Sequence, residues 1–222
     1  MSNIIDTVSL FPSKRSLVYE YLIKTEYPWQ ILPDLKEIII EIGKKLSKEE
    51  YEERNTNIFI SKSAKISPDA EIRAPAIICK DAEIRKGAYI RGSVIVGEGC
   101  VVGNSTEIKN SVLFDKVQAP HYNYIGDSIL GYGAHLGAGV VLSNLKSDKT
   151  EVSVHLNDRS IPTGARKLGS LIGDLAEIGC NSVLNPGTVI GRCSNVYPLC
   201  RVRGYVSENS IYKSEKDIIS KK

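Results

Sequence analysis

Large rings are scarce in this chain. Of 222 residues only 7% are aromatic, with 1 Trp and 3 Phe. Rings normally supply much of the buried area of a globular core, so this core must be built another way. Histidine is scarcer still. His121, His135 and His155 are the full set, and neither they nor the five cysteines fall at metal-ligand spacing, so a structural zinc site is not expected. Cys79, Cys100, Cys180, Cys193 and Cys200 are odd in number and form no Cys-x-x-Cys pair. Reduced thiols in a cytoplasmic protein are the expectation. No apolar run approaches the ~18 residues that a membrane span requires. Met1–Leu10 lacks the basic and then apolar pattern of a secretory leader. The net charge of +3 is too small to argue for a nucleic-acid partner.

What the chain has in excess is isoleucine, 27 residues, alongside 18 Gly. Many branched aliphatics of one size suggest many equivalent small sites, and therefore a repeat. Steps of six from Ile60 meet Ile66, Ile72, Ile78, Ile84, Ile90, Val96, Val102, Ile108 and Phe114, all apolar. A second series runs through Leu130, Leu136 and Leu142, then Ile172, Ile178, Leu184, Ile190, Val196 and Val202. The interval from Leu142 to Ile172 is a multiple of six, so the phase survives it. The interval from Phe114 to Leu130 is not, which marks Asp115–Ile129 as irregular. Gly, Asn, Asp and Pro punctuate the aliphatics. A period of six is neither helical nor a simple alternation. It is the signature of a parallel β-helix, in which each six-residue unit forms one flat face and its aliphatic residue stacks on copies above and below.

The ends differ. Leu17 and Tyr21, and then Leu35, Ile38, Ile39, Ile42 and Leu46, fall at helical spacing and predict helices within Arg15–Ile23 and Leu35–Arg54, with a short turn at Ser47. The expected organisation is an N-terminal helical segment at 1–54, a β-helix at 55–206 with a polar loop at 145–169, and a C-terminal tail at 207–222 that forms a frayed helix or a cap.

The repeat resembles that of the hexapeptide-repeat transferases over roughly 58–206. The resemblance implies a left-handed parallel β-helix, hence a mainly β fold. Tyr27-Pro28-Trp29-Gln30-Ile31-Leu32 resembles the stretch that closes the nucleotidyltransferase domain of two-domain sugar nucleotidyltransferases. No Gly-rich phosphate loop of that domain is visible, so nucleotidyl transfer is not expected. His121, Tyr124, Gly137-Ala138-Gly139 and Asn144 look like the acetyltransferase domain of the bifunctional bacterial enzyme that makes UDP-N-acetylglucosamine. They look still more like the β-helical domain of archaeal-type sugar-1-phosphate nucleotidyltransferases.

The resemblance implies roles for individual residues. His121 matches the general base. Tyr124 and Asn144 match residues holding an amino sugar, and Arg91 and Lys109 the pair binding its phosphate. The Ala138 backbone amide faces the acetyl carbonyl, and Cys180 and Pro198 line the pantetheine arm of acetyl-CoA. Two positions depart from the pattern. His135 stands where the bacterial enzyme has Asn, and is expected either to contact the substrate in its place or to pair with His121. Thr150 stands where the family has a lysine, with Lys146 and Lys149 nearby. His155 receives no role. The expected function is acetyl-CoA-dependent N-acetylation of glucosamine-1-phosphate or galactosamine-1-phosphate by a homotrimer. The alternative is a non-catalytic β-helix that binds a sugar nucleotide or regulates a separate nucleotidyltransferase.

Overall fold

A computed structural model describes residues 4–221. Its main body is a parallel β-solenoid with three flat faces. The first face carries nine strands, the second nine and the third seven; apart from one antiparallel strand at an end of each of the first two, each is hydrogen-bonded in parallel to the equivalent strand one turn away. A representative turn runs Ser111–Leu113 on the first face, Gln118–His121 on the second and Tyr124–Gly126 on the third. The corners between faces are sharp because one residue there adopts a left-handed backbone. Lys116, Tyr122 and Asp127 do so in this turn, with φ of +61°, +52° and +48°.

Parallel pairing places like residues in register. Ile108 pairs with Ile125 and Ile125 with Leu142; Val96 pairs with Leu113 and Leu113 with Leu130. Nearly all of these inward side chains are fully buried, and they form one continuous column from Ile58 to Tyr212. Each is stabilised by about 1.5–3 kcal/mol on leaving water.

This register corrects two expectations. The residue that stacks in the fourth turn is Leu113, not Phe114, and Asp115–Ile129 is regular. The six-residue step shortens to five twice, from Ile108 to Leu113 and from Ile125 to Leu130, and in each case a corner has lost one residue. Phe114 faces the other way and packs its ring 4.9 Å from that of Phe11.

The scarce rings sit together. Phe11, Phe59, Phe114 and Trp29 all belong to a second cluster, outside the solenoid, between its first face and the N-terminal segment. Strands of that face carry apolar residues in the outward position too: Phe59, Ile77, Ile95, Val112, Ile129, Leu171 and Val189. The face is thus buried on both sides. The irregular wedge between a helix and a flat sheet suits rings, whereas the solenoid interior repeats a space sized for one aliphatic chain.

The segment covering this face contains short helices at Thr7–Leu10 and Tyr19–Leu22, a 3₁₀ turn at Pro28–Ile31 and a longer helix at Leu35–Lys45. The last buries Leu35, Ile38 and Ile39 on one stripe. It ends at Lys45, not at Arg54. Tyr51–Asn55 is instead a strand antiparallel to Ile58–Ser61, which turns the chain into the solenoid and covers part of its first turn. At the other end, Ser210–Ser214 and Asp217–Ser220 form an antiparallel pair rather than a frayed helix. Lys222 lies outside the described residues. The polar loop is also ordered. Its ends bridge at Leu145 and Lys167, and Ser153–His155 pairs with Ser160–Pro162. Val152 and Val154 anchor it on the outer cluster.

All five cysteines are free thiols. Burial pushes the Cys79 thiol up to about 12, which makes it inert. Phe114→Ala is expected to destabilise the protein by about 3–5 kcal/mol in urea denaturation, and to expose the segment before Pro33 to proteolysis.

Candidate active site

The site begins at the corner between the second and third faces. There the backbone N–H groups of Gly139, Asn181 and Leu199 donate to the carbonyls of His121, Ala138 and Cys180, at 3.1, 2.8 and 2.9 Å. His121, Ala138, Cys180 and Pro198 therefore occupy one position on four successive turns, about 4.8 Å apart along the axis. The chain separates Ala138 from Cys180 by the whole insertion, and only the solenoid brings them together.

His121 is exposed, and its ring makes no hydrogen bond or ion pair among the described residues. Its backbone is held firmly. The buried Asn123 accepts the His121 N–H at 3.3 Å and donates to the Gly137 carbonyl at 2.8 Å. One side chain thus ties the histidine corner to the Gly-Ala-Gly corner of the next turn. No hydrogen bond among the described residues takes up the Ala138 N–H.

The third face opens directly from this corner. Its strands place Tyr89, Glu107, Tyr124 and Val141 in one outward row. Arg91, Lys109 and Gly126 lie in the next. Neither cation stands alone. Arg91 Nη1 lies 2.7 Å from Glu107 Oε1, and Lys109 Nζ lies 3.5 Å from Asp127 Oδ2.

The Tyr124 hydroxyl donates to Asn144 Oδ1 at 3.5 Å. Burial pushes the Tyr124 phenol pKa up, and the Asp127 and Glu107 charges push it further, against the opposing Arg91. Gly126 makes room for this pair. A Cβ there would lie 2.6 Å from Asn144 Nδ2 and 2.8 Å from the Tyr124 hydroxyl.

Farther along the same face, the insertion walls a cleft of about 540 Å³, lined in part by Ser143, Lys146, His155, Asn185 and Arg203. Lys146 donates to the Thr150 hydroxyl at 2.5 Å, so an ammonium group reaches the position where the resemblance anticipates a lysine side chain. His135 lies elsewhere. It is on the second face, its Nδ1 2.7 Å from Glu177 Oε2, rather than paired with His121 or set among Arg91, Lys109 and Asn144.

A family model described as the GMPPB C-terminal domain matches residues 72–163. The bifunctional protein GlmU of Methanococcus maripaludis is 34% identical over 201 residues, covering 88% of this chain and 48% of that protein. A bifunctional sugar-1-phosphate nucleotidylyltransferase/acetyltransferase of Sulfurisphaera tokodaii is 36% identical over 109 residues, 49% of this chain and 27% of that protein. The chain is similar in sequence to these bifunctional proteins. It spans about half the length of the first and less of the second. Among solved structures, the polySia-specific acetyltransferase NeuO aligns with a TM-score of 0.47 at 11% identity, covering 71% of this chain and 80% of that one.

Several residues of this hexapeptide-repeat protein escaped the sequence reading. Asn123 carried a usable signal: it occupies an inward corner position filled by Ala88, Thr106 and Val140 on other turns. Glu107 and Asp127 carried none, because only the stacking of turns sets them against Arg91 and Lys109. Gly126→Ala is expected to push Tyr124 and Asn144 apart and cost about 1–3 kcal/mol of stability in urea denaturation.

Proposed function

We propose that this chain is an acetyl-CoA-dependent N-acetyltransferase for an amino-sugar 1-phosphate, cytoplasmic and active as a homotrimer. One observation carries this reading: the exposed His121 ring and the Ala138 N–H, neither with a hydrogen-bond partner among the described residues, share a corner, and that corner opens onto the face holding Tyr124, Asn144, Lys109 and Arg91. The name of the Sulfurisphaera tokodaii relative, a bifunctional sugar-1-phosphate nucleotidylyltransferase/acetyltransferase, supports it.

The chemistry follows from the residue types. An amine at neutral pH is largely protonated and cannot attack a thioester. The neutral fraction of the amine attacks: its nitrogen bonds to the thioester carbon while His121, as neutral imidazole, takes one of its protons. The Ala138 N–H receives the oxyanion that develops on the former carbonyl oxygen. When the carbon–sulfur bond breaks, the imidazolium returns its proton to the departing thiolate. The products are an N-acetyl amide and free CoA thiol. Ala138, Cys180 and Pro198 form a strip of small side chains on which the pantetheine arm lies. Tyr124 and Asn144 hold the sugar, and Arg91 and Lys109 face its phosphate. Both cations already carry a carboxylate partner, so the phosphate shares them rather than meeting bare charge.

In a trimer the insertion at 145–169 reaches towards the neighbouring subunit, and sedimentation would report the assembly. His121→Ala is expected to fold like the parent and to lose about 10²–10⁴-fold in thiol release from acetyl-CoA with glucosamine-1-phosphate. Unchanged turnover would sink the assignment. Binding of a sugar nucleotide with no thiol release from any amino-sugar phosphate in the parent would favour the non-catalytic alternative.

A further inference from the structure

Asp127 has no part in the reaction as described, yet both halves of the acceptor site converge on it. It occupies the corner that follows Tyr124–Gly126 and is 5% exposed. Asn110 Nδ2 donates to Oδ1 at 2.8 Å, Lys109 Nζ approaches Oδ2 at 3.5 Å, and Asn144 Nδ2 also donates to Oδ2. The Asp127 N–H donates to the Lys109 carbonyl at 3.0 Å, and its own carbonyl accepts from Gly169 at 2.8 Å. The Asn144 carbonyl accepts from Leu168 at 3.0 Å, so the two ends of the insertion close on this corner.

A side-chain amide has a donor end and an acceptor end, whereas an ionised carboxylate only accepts. Asp127 therefore decides which end of Asn144 faces it. The nitrogen turns towards the carboxylate, and the oxygen is left facing the Tyr124 hydroxyl. We propose that Asp127 is the positioning residue of the acceptor site, holding the Asn144 amide oxygen outward to receive a donor group of the amino sugar and the Lys109 ammonium beside it. This rests on the acceptor-site reading above. Asn at position 127 would present both a donor and an acceptor to Asn144, so neither amide orientation is preferred, and Lys109 would lose its counter-charge. The inference also supplies a reason for acceptor choice: an oriented amide oxygen favours a sugar that brings an N–H or O–H to it.

The test uses the full chain with two readouts. The first needs no activity. With ¹³C-labelled tyrosine, the Tyr124 phenol is titrated by NMR and assigned with Tyr124→Phe. Asp127→Asn is expected to lower the Tyr124 pKa, because it removes a nearby negative charge. A Tyr124 titration that does not move overturns the proposal whatever the chain catalyses. The second readout is thiol release. Asp127→Asn is expected to raise the acceptor KM about tenfold, the size of one net hydrogen bond, with the acetyl-CoA KM and kcat within about twofold of the parent. The Asp127→Asn change should add little further loss in an Asn144→Ala background, since it acts through that amide. Additive losses that also raise the acetyl-CoA KM would indicate a merely structural role and overturn the proposal. Asp127→Glu keeps the charge but displaces the oxygens, and covers the case in which the Asn variant does not fold. It should leave the Tyr124 titration high and still raise the acceptor KM; a parental acceptor KM there counts against Asp127. If the parent transfers acetyl to no amino-sugar phosphate, the proposed function fails, while the Tyr124 titration still judges Asp127.

Discussion

Everything in this molecule hangs on the in-register stacking of aliphatic side chains inside the solenoid. A single strand of two or three residues has no stability of its own. Paired with copies above and below, nearly every strand satisfies its backbone groups and fully buries its inward residue. Register then follows from a steric requirement. Ile108 can lie over Ile90 and under Ile125 only if every residue between them is placed at a definite point of the turn. The two shortened steps show how strict this is. When a corner loses a residue, the chain moves the inward role from Phe114 to Leu113 rather than forcing a ring into the column.

The same constraint builds the site. Because turns stack with fixed offsets, a corner residue is always above another corner residue, whatever lies between them in sequence. An insertion can leave the solenoid after Asn144, form a hairpin, and return at Gly169 without disturbing the register of Val141–Leu142 against Val183–Leu184. The scaffold thus lets the outward side chains of the third face vary while the inward ones remain aliphatic. The charged residues there are mutually compensated, Arg91 by Glu107 and Lys109 by Asp127. That pairing across adjacent turns holds the long cationic side chains in place.

The N-terminal segment answers a different need. The first face is apolar on its outward side, and exposed it would present a flat hydrophobic sheet. Short helices and the Leu35–Lys45 helix cover it, with the chain's few rings filling the gaps. Buried polar groups fix the cover in position: the Asp174 carboxylate accepts the backbone N–H groups of Ser13 and Tyr132, at 2.9 and 2.8 Å.

The sequence by itself determined the repeat, its inward aliphatics and the near absence of rings from the solenoid interior, because a period of six has one physical solution. The roles of His121, Tyr124 and Asn144 came instead from the resemblance of their motif to a known family. The sequence could not locate the strand at Tyr51–Asn55, where a helical spacing continued past the helix, nor the terminal antiparallel pair. Helix propensity there yields to the gain from capping open sheet edges. It left His135 either to contact the substrate or to pair with His121, whereas the fold sets that residue on the second face against Glu177. Only the tertiary structure decided that Ala138, Cys180 and Pro198 share a corner with His121, and that Asp127 gathers Lys109, Asn110 and Asn144. Those contacts arise between turns, and the offsets that create them depend on corner lengths and an insertion that the six-residue period does not encode.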